Sequence, residues 1–323
     1  MKKWLYIFLF FAVALIVCCK HPKTHGIAKH KPTTGWEKEN LKGNVKYVTM
    51  KSYHATDSAG KLIKLRMNGN LNDSMVFDAK GNKTALYNFN SEGDLLLTLR
   101  YTYDSSGHEM TYDKFDMRGR LYESTVSTYD NKGNKIKAIE LDSAGGIETE
   151  EEDKYDNRGN NIEMVIHLHN EAHNISKFVY VYDSLDNEVD WIHTYDGKFQ
   201  YTWKYIYDDD NNRIGQYSYD SLGSINFREI STYDNNGNKL SVKDFNADNK
   251  VTDSTVFKID DKGRTVEKYD HWYNTQIIVK WEYDSTGNWV KSVVYKNIDI
   301  LGNPTKEWRP NEITERKFEY FQK

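Results

Sequence analysis

The chain predicts an all-β fold: an elongated, curled antiparallel β-meander of about nine 26-residue repeats, each contributing two strands. Three observations carry this. A turn opened by aspartate returns at Asp78, Asp104, Asp130, Asp156, Asp183, Asp208, Asp234, Asp260 and Asp284, at steps of 24 to 27 residues. The segments between turns are rich in Tyr, Val, Ile, Thr and Phe and often alternate, as in Tyr101-Thr-Tyr103, Tyr180-Val-Tyr182 and Tyr205-Ile-Tyr207. None of the four prolines falls between residues 33 and 303, as continuous strand pairing requires.

In chain order, Met1-Lys-Lys3 opens a short basic start, and an apolar run from Trp4 to Val17 ends in Cys18-Cys19. This is the layout of a secretory signal peptide, too short for a comfortable membrane span. Both cysteines of the chain stand at its cleavage point, so the exported part has neither a disulfide nor a thiolate metal site. The pattern resembles a bacterial lipoprotein box, with Cys19 as the acylated residue and Cys18 as the alternative. Residues 1–19 are thus expected to be a lipoprotein signal, residues 20–38 a flexible basic tether, and residues 39–323 the repeat domain.

Within that domain each period holds two turns. The stronger reads Tyr129-Asp-Asn-Lys-Gly-Asn134, Tyr155-Asp-Asn-Arg-Gly-Asn160, Tyr233-Asp-Asn-Asn-Gly-Asn238 and Tyr283-Asp-Ser-Thr-Gly-Asn288. Asp caps the turn with its side chain, and Gly at the fourth position accepts a left-handed backbone. The weaker turns are read at Asn90, Asp116, Asp142, Asn170, Asp196, Asp220, Asn246 and Asp270. Hydrophobic residues make up only 38% of the chain, so a thin sheet with one aromatic-lined face is expected rather than a thick core.

The Tyr-Asp-x-x-Gly-Asn turns resemble the tyrosine-aspartate (YD) repeats of the Rhs-type family, and in particular the short YD-repeat lipoproteins of Bacteroidetes. Leu41-Lys-Gly-Asn-Val-Lys46 is similar to their opening segment, and Tyr283 to Trp289 with Thr314-Glu-Arg316 to their closing one. The resemblance spans roughly residues 39–323. Large Rhs proteins resemble hollow shells around a toxin, with a processing core and a variable toxin domain. Neither part is found here, and nine repeats are too few for a large shell, so toxin delivery does not carry over. Exported surface lipoproteins of this group usually carry acidic residues after the lipidated cysteine, whereas Lys20, Lys23 and Lys29 follow Cys19. The resemblance therefore implies an outer-membrane anchor facing the periplasm.

No chemistry-bearing motif stands out. His167, His169 and His173, with His193, raise a metal site, but His167 and His193 fall two strands apart, roughly 9 to 10 Å. His169 stands where other units place Phe115, Tyr195 or Tyr219 and reads better as a substituted aromatic rung. The acidic run Asp208 to Asn212 lacks the glycine and closing glutamate of a calcium loop. Glu148 to Asp153 reads as a solvated strand edge. Carboxylates recur with the repeat, as turn and surface residues do, so no catalytic residue, metal or cofactor is expected. A net charge of -4, with basic residues clustered only in the tether, disfavours nucleic acid.

Tryptophan supplies the one asymmetry. Six of eight lie between Trp191 and Trp308, and flat aromatic faces on a rigid sheet suit stacking on sugar rings. Trp191, Trp203, Trp272 and Trp281 are the candidate ligand-binding residues. The expected function is a non-catalytic envelope scaffold that binds a protein, peptidoglycan or another glycan. A structural or assembly spacer and an envelope polysaccharide hydrolase are the alternatives.

Overall fold

A computed structural model describes residues 32–67, 72–169, 175–272, 275–298 and 304–322. It holds one helical turn, α1 (Gly35–Lys38), and twenty-one strands. The first seven are β1 (Val45–Ser58), β2 (Lys61–Met67), β3 (Asp73–Phe77), β4 (Lys83–Phe89), β5 (Leu95–Tyr103), β6 (Glu109–Asp116) and β7 (Leu121–Tyr129). Next come β8 (Lys135–Asp142), β9 (Ile147–Tyr155), β10 (Asn161–Leu168), β11 (Ile175–Tyr182), β12 (Glu188–Tyr195), β13 (Lys198–Tyr207) and β14 (Arg213–Tyr219). The last are β15 (Ile225–Tyr233), β16 (Lys239–Asn246), β17 (Val251–Ile259), β18 (Thr265–Trp272), β19 (Thr275–Tyr283), β20 (Trp289–Ile298) and β21 (Pro304–Tyr320).

From β3 to β21 each strand pairs antiparallel with the next in sequence, as the meander reading requires. Closure comes from outside the repeats. β1 pairs with β21 along one edge (Val48 opposite Phe318) and with β3 along the other (Val48 opposite Met75). The meander thus becomes a 20-strand barrel-like sheet, with β2 attached to β1 as an extra strand. Nine repeats do close a ring, a smaller one than a large shell, because the chain's first and last long strands join its ends.

The turns work as their residues dictate. At Asp130, carboxylate Oδ1 accepts the amides of Lys132 (2.8 Å) and Asn134 (2.9 Å), while Oδ2 accepts Asn134 Nδ2 (2.9 Å). Asp130 N–H donates to the Asn134 carbonyl (2.9 Å), and Gly133 sits at φ 88°. Asp186 and Asn211 hold the equivalent place at φ 64° and 68°, the two side chains best suited to it. Each such turn carries a one-residue register shift, for example between Thr128 and Tyr129, so the hairpin ends in a bulge.

The tyrosine before the aspartate has its own task. Seven of them donate their hydroxyl to a backbone carbonyl just after the preceding Asp turn, at 2.8 to 2.9 Å: Tyr103 to Lys83, Tyr129 to Glu109, Tyr155 to Lys135, Tyr182 to Asn161, Tyr207 to Glu188, Tyr233 to Arg213 and Tyr283 to Thr265. Each repeat is thereby tied to its predecessor. Phe77 and Ile259 occupy the same place without a hydroxyl, and Phe77 is instead a core residue, 2% exposed.

Three expectations need correction. Asp270 does not open a turn: it lies inside β18, opposite Thr255 and Ile277, and accepts the Thr255 hydroxyl at 2.5 Å. The aromatic-Asp pair at 269–270 looks like a turn opening but has Tyr273 where the left-handed Gly or Asn should be. Glu148 to Asp153 is no edge either, since β9 is paired on both sides. The end of the 20–38 segment is folded rather than flexible. Thr34 and Glu37 form a capping box on α1, Trp36 Nε1 donates to the Val45 carbonyl (2.7 Å), and Trp36 N donates to the Gly81 carbonyl (3.1 Å). A Cβ on Gly81 would stand 2.5 Å from the Trp36 ring, so this contact needs glycine. Cys18 and Cys19 lie outside the described residues.

Candidate functional site

Alternation divides the wall into two faces. In β5, β13 and β15 the odd positions are the more protected, and they include Tyr101, Tyr103, Tyr201, Tyr205, Phe227 and Tyr233. The better-covered face of a closed sheet is its concave side, so the YD tyrosines point inward. The opposite face holds charged pairs such as Lys154 with Glu163 (2.6 Å) and Lys291 with Glu282 (2.7 Å), alongside Val126, Ile206 and Val256. The inward face has its own charges, including Glu109, Glu151 and Asp244. Among the described residues charged side chains thus interrupt the apolar ones on both faces. No helix among the described residues is long and apolar enough to cross a membrane.

On the inward face two of the predicted tryptophans meet. Trp191 in β12 stands directly opposite Trp203 in β13. Around them Phe178 stacks on His193 (centroids 4.5 Å apart, planes at 10°). Tyr201 sits 5.5 Å from Trp191 edge-on, and Phe227 5.6 Å from Trp203. The Trp191 indole donates to the Tyr205 hydroxyl at 2.8 Å. This aromatic row spans β11 to β15 and stays half-buried, with ring area still reaching solvent. Trp272 and Trp281 do not join it. Trp281 lies on the same face in β19, six strands beyond β13, or roughly 29 Å along the sheet. Trp272 ends β18, opposite Asp253.

His193 is a rung of the row: both ring nitrogens are buried without a hydrogen-bond partner, and burial lowers its pKa. His167 is on the outward side, opposite Glu150, so the two histidines also differ in face. His169 is held near Glu150 at 3.5 Å, and His173 lies outside the described residues. Among the described residues no group of three or more His, Cys, Asp or Glu could hold a metal ion.

Next to the aromatic row the inward face turns acidic, which the repeat spacing did not reveal. Glu229, Asp244 and Asp253 stand directly opposite one another on β15, β16 and β17. Burial, then repulsion from Glu229 and Asp253, pushes Asp244 up to about 6. Burial followed by Asp270 raises Asp253. On the other flank, burial with Glu151 alongside pushes Asp153 up to about 6. Four turn carboxylates behave in the opposite way. Burial pushes Asp130, Asp156, Asp183 and Asp208 up, but the amide hydrogen bonds each accepts outweigh it, and all titrate below the ordinary range. The signal for the acidic row was cross-strand register, which spacing along one chain does not contain.

No family model and no curated protein matches the chain. Among solved structures it is similar to a TcdB2–TccC3 crystal structure at 10% identity and a TM-score of 0.29, covering 79% of this chain and 16% of that one. The Tc holotoxin pore of Photorhabdus luminescens matches at 11% identity and TM-score 0.24, covering 78% and 20%. A porin-like protein from Bacteroides uniformis matches at 10% identity and TM-score 0.35, covering 85% and 98%. The chain thus spans about a fifth or less of the two toxin chains.

Proposed function

We propose that this protein is a non-catalytic binding scaffold of the bacterial cell envelope, a short YD-repeat lipoprotein held by acylation at Cys19 on the periplasmic side of the outer membrane. Its inward face takes a glycan, a cell-wall polymer or a protein segment. The observation that supports it is the half-buried aromatic row through Trp191 and Trp203 beside the carboxylates of β15 to β17. Sugar rings stack on indole and phenol faces, and acidic side chains accept hydrogen bonds from hydroxyl groups. A rigid single-layer wall presents both without the entropy cost of ordering loops.

A glycan and peptidoglycan-fragment array is the test. Binding that falls at least about tenfold in Trp191→Ala and Trp203→Ala supports the reading, since losing one stacked ring removes roughly 1–2 kcal/mol. No retained glycan or protein ligand overturns it in favour of a spacer. Fatty-acid labelling that persists in Cys19→Ser overturns the anchor, and shaving of the protein from intact cells by protease reverses its orientation. The hydrolase reading draws on one feature, the opposed carboxylates with Asp244 held near 6. Turnover of a polysaccharide panel that Asp244→Asn abolishes selects that reading instead.

A further inference from the structure

Each strand of the ring has two neighbours, but β2 has one. It pairs with the distal end of β1, from Ser58 opposite Lys61 to Tyr53 opposite Met67, and no described strand pairs with its other edge. Five of its seven residues are exposed, among them Leu65 at 52% and Ile63 at 37%. An open edge offers a row of unpaired N–H and C=O groups, ready to accept another strand.

The charge on this edge is one-sided. β2 carries Lys61, Lys64 and Arg66 and no acid, on a chain of net charge -4. Lys64 is engaged by Glu315 at 2.6 Å and lies over the Tyr53 ring. Lys61 and Arg66 have no ion pair among the described residues. A second copy of the same edge would set these cations against each other, which disfavours self-pairing. A strand bearing carboxylates would satisfy backbone and cations together, and Ile63 and Leu65, which share the face of Lys61, offer apolar contact beside its carboxylate partner.

We propose that the free edge of β2 is a docking site for an extended acidic peptide segment of another protein, which adds to β1–β2 as a further strand. The proposal goes beyond the binding face described above and uses none of its residues. The full-length protein is titrated against a labelled peptide of alternating Glu and Val, its Lys-Val counterpart, and the Glu-Val peptide N-methylated at every second residue, read by fluorescence anisotropy. The Glu-Val peptide binds at least about tenfold tighter than the Lys-Val one, as charge complementarity of this kind gives. N-methylation, which removes strand donors, abolishes binding. The double variant Lys61→Glu with Arg66→Glu, shown by circular dichroism and melting temperature to be folded, reverses the preference. Equal binding of the three peptides, or a preference unchanged in the double variant, overturns the proposal. So does a concentration-dependent dimer in sedimentation that the double variant abolishes.

Discussion

The seam and the wall of this ring are held together by different physics. At the seam, Leu41, Val45, Val48 and Phe77 form a buried cluster with Trp36, Met75 and Phe318 against it. A second cluster of Ala55, Val293 and Ile313 lies on the opposite face of the sheet, with Leu62 and Tyr295. Every fully buried hydrophobic side chain larger than alanine among the described residues belongs to these two clusters. Asn288, 2% exposed, adds a polar staple: it accepts Lys42 N–H (2.8 Å) and donates to the Lys42 carbonyl (2.9 Å), joining the ninth Asp turn to the chain's start. The wall has no such core. Its buried positions among the described residues are glycine, alanine, serine, threonine, asparagine and aspartate, and its cohesion is a repeated hydrogen-bond device. A one-layer wall has no second layer to bury a face against, so it relies on local geometry. Closure brings distant segments together and has to be driven by burial.

The difference can be broken at its strongest point first. Ile313→Ala, at a site 1% exposed, is expected to destabilise the protein by about 2–5 kcal/mol, measured by denaturant unfolding. An equivalent truncation in the wall, Val126→Ala at 39% exposure, should change stability by less than about 0.5 kcal/mol. If the two cost the same, the seam is not the special region.

Turn geometry comes next. Gly133→Val forces a β-branched residue to φ 88° and should cost on the order of 1–3 kcal/mol, whereas Gly133→Asn should cost far less, because Asn211 already occupies that position in another repeat. Equal melting temperatures for the two variants would show that the left-handed position is not what holds the turn. Tyr155→Phe removes one hydroxyl clamp, with an expected loss of roughly 0.5–1.5 kcal/mol. Transplanting the clamp tests it in reverse: Ile259→Tyr supplies a hydroxyl where the eighth Asp turn lacks one and should raise the melting temperature.

The smallest effect is a gain. The Asp244 carboxyl titrates near 6, above its ordinary 3.8, so the folded chain keeps a proton that the unfolded chain releases. Its contribution therefore weakens as pH rises from about 4 to about 6, and above that window the buried charge is a net cost. Asp244→Asn is expected to stabilise the protein at pH 8 by about 1 kcal/mol, allowing for solvent screening, and to have little effect near pH 4. The turn aspartates Asp130, Asp156, Asp183 and Asp208 have depressed pKa values, and their contribution has the opposite sense. It is present at neutral pH and lost only as pH falls through their lowered range. A melting-temperature profile that rises monotonically from pH 4 to pH 8, the same in Asp244→Asn as in the parent, would contradict the assignment.

How much of this was legible follows from what each feature depends on. The Asp caps and the left-handed glycines need only residues within five positions of one another, so Tyr129 to Asn134 is readable by itself and the period is its recurrence along the chain. Asp270 was misread for the same reason, because an aromatic-Asp pair is only half of the local pattern and Tyr273 in the fourth place was the missing test. The stacking of His193 on Phe178 was not legible, because it rests on the register of β11 against β12. The separation of Trp281 from Trp191 followed from counting strands, but their sharing one face, and the meeting of Trp191 with Trp203, rest on the register of β12 against β13. The acidic row of Glu229, Asp244 and Asp253 rests on register too.

The sequence by itself determined an antiparallel meander, its two-strand unit and the chemistry of its turns, because turn conformation and strand alternation are local properties of the backbone. Only the tertiary structure decided that the meander closes, that β1 and β21 close it, which face looks inward, and which carbonyl each tyrosine grips. Those outcomes depend on twist accumulated over twenty strands and on burial between residues some 270 positions apart, such as Val48 and Phe318.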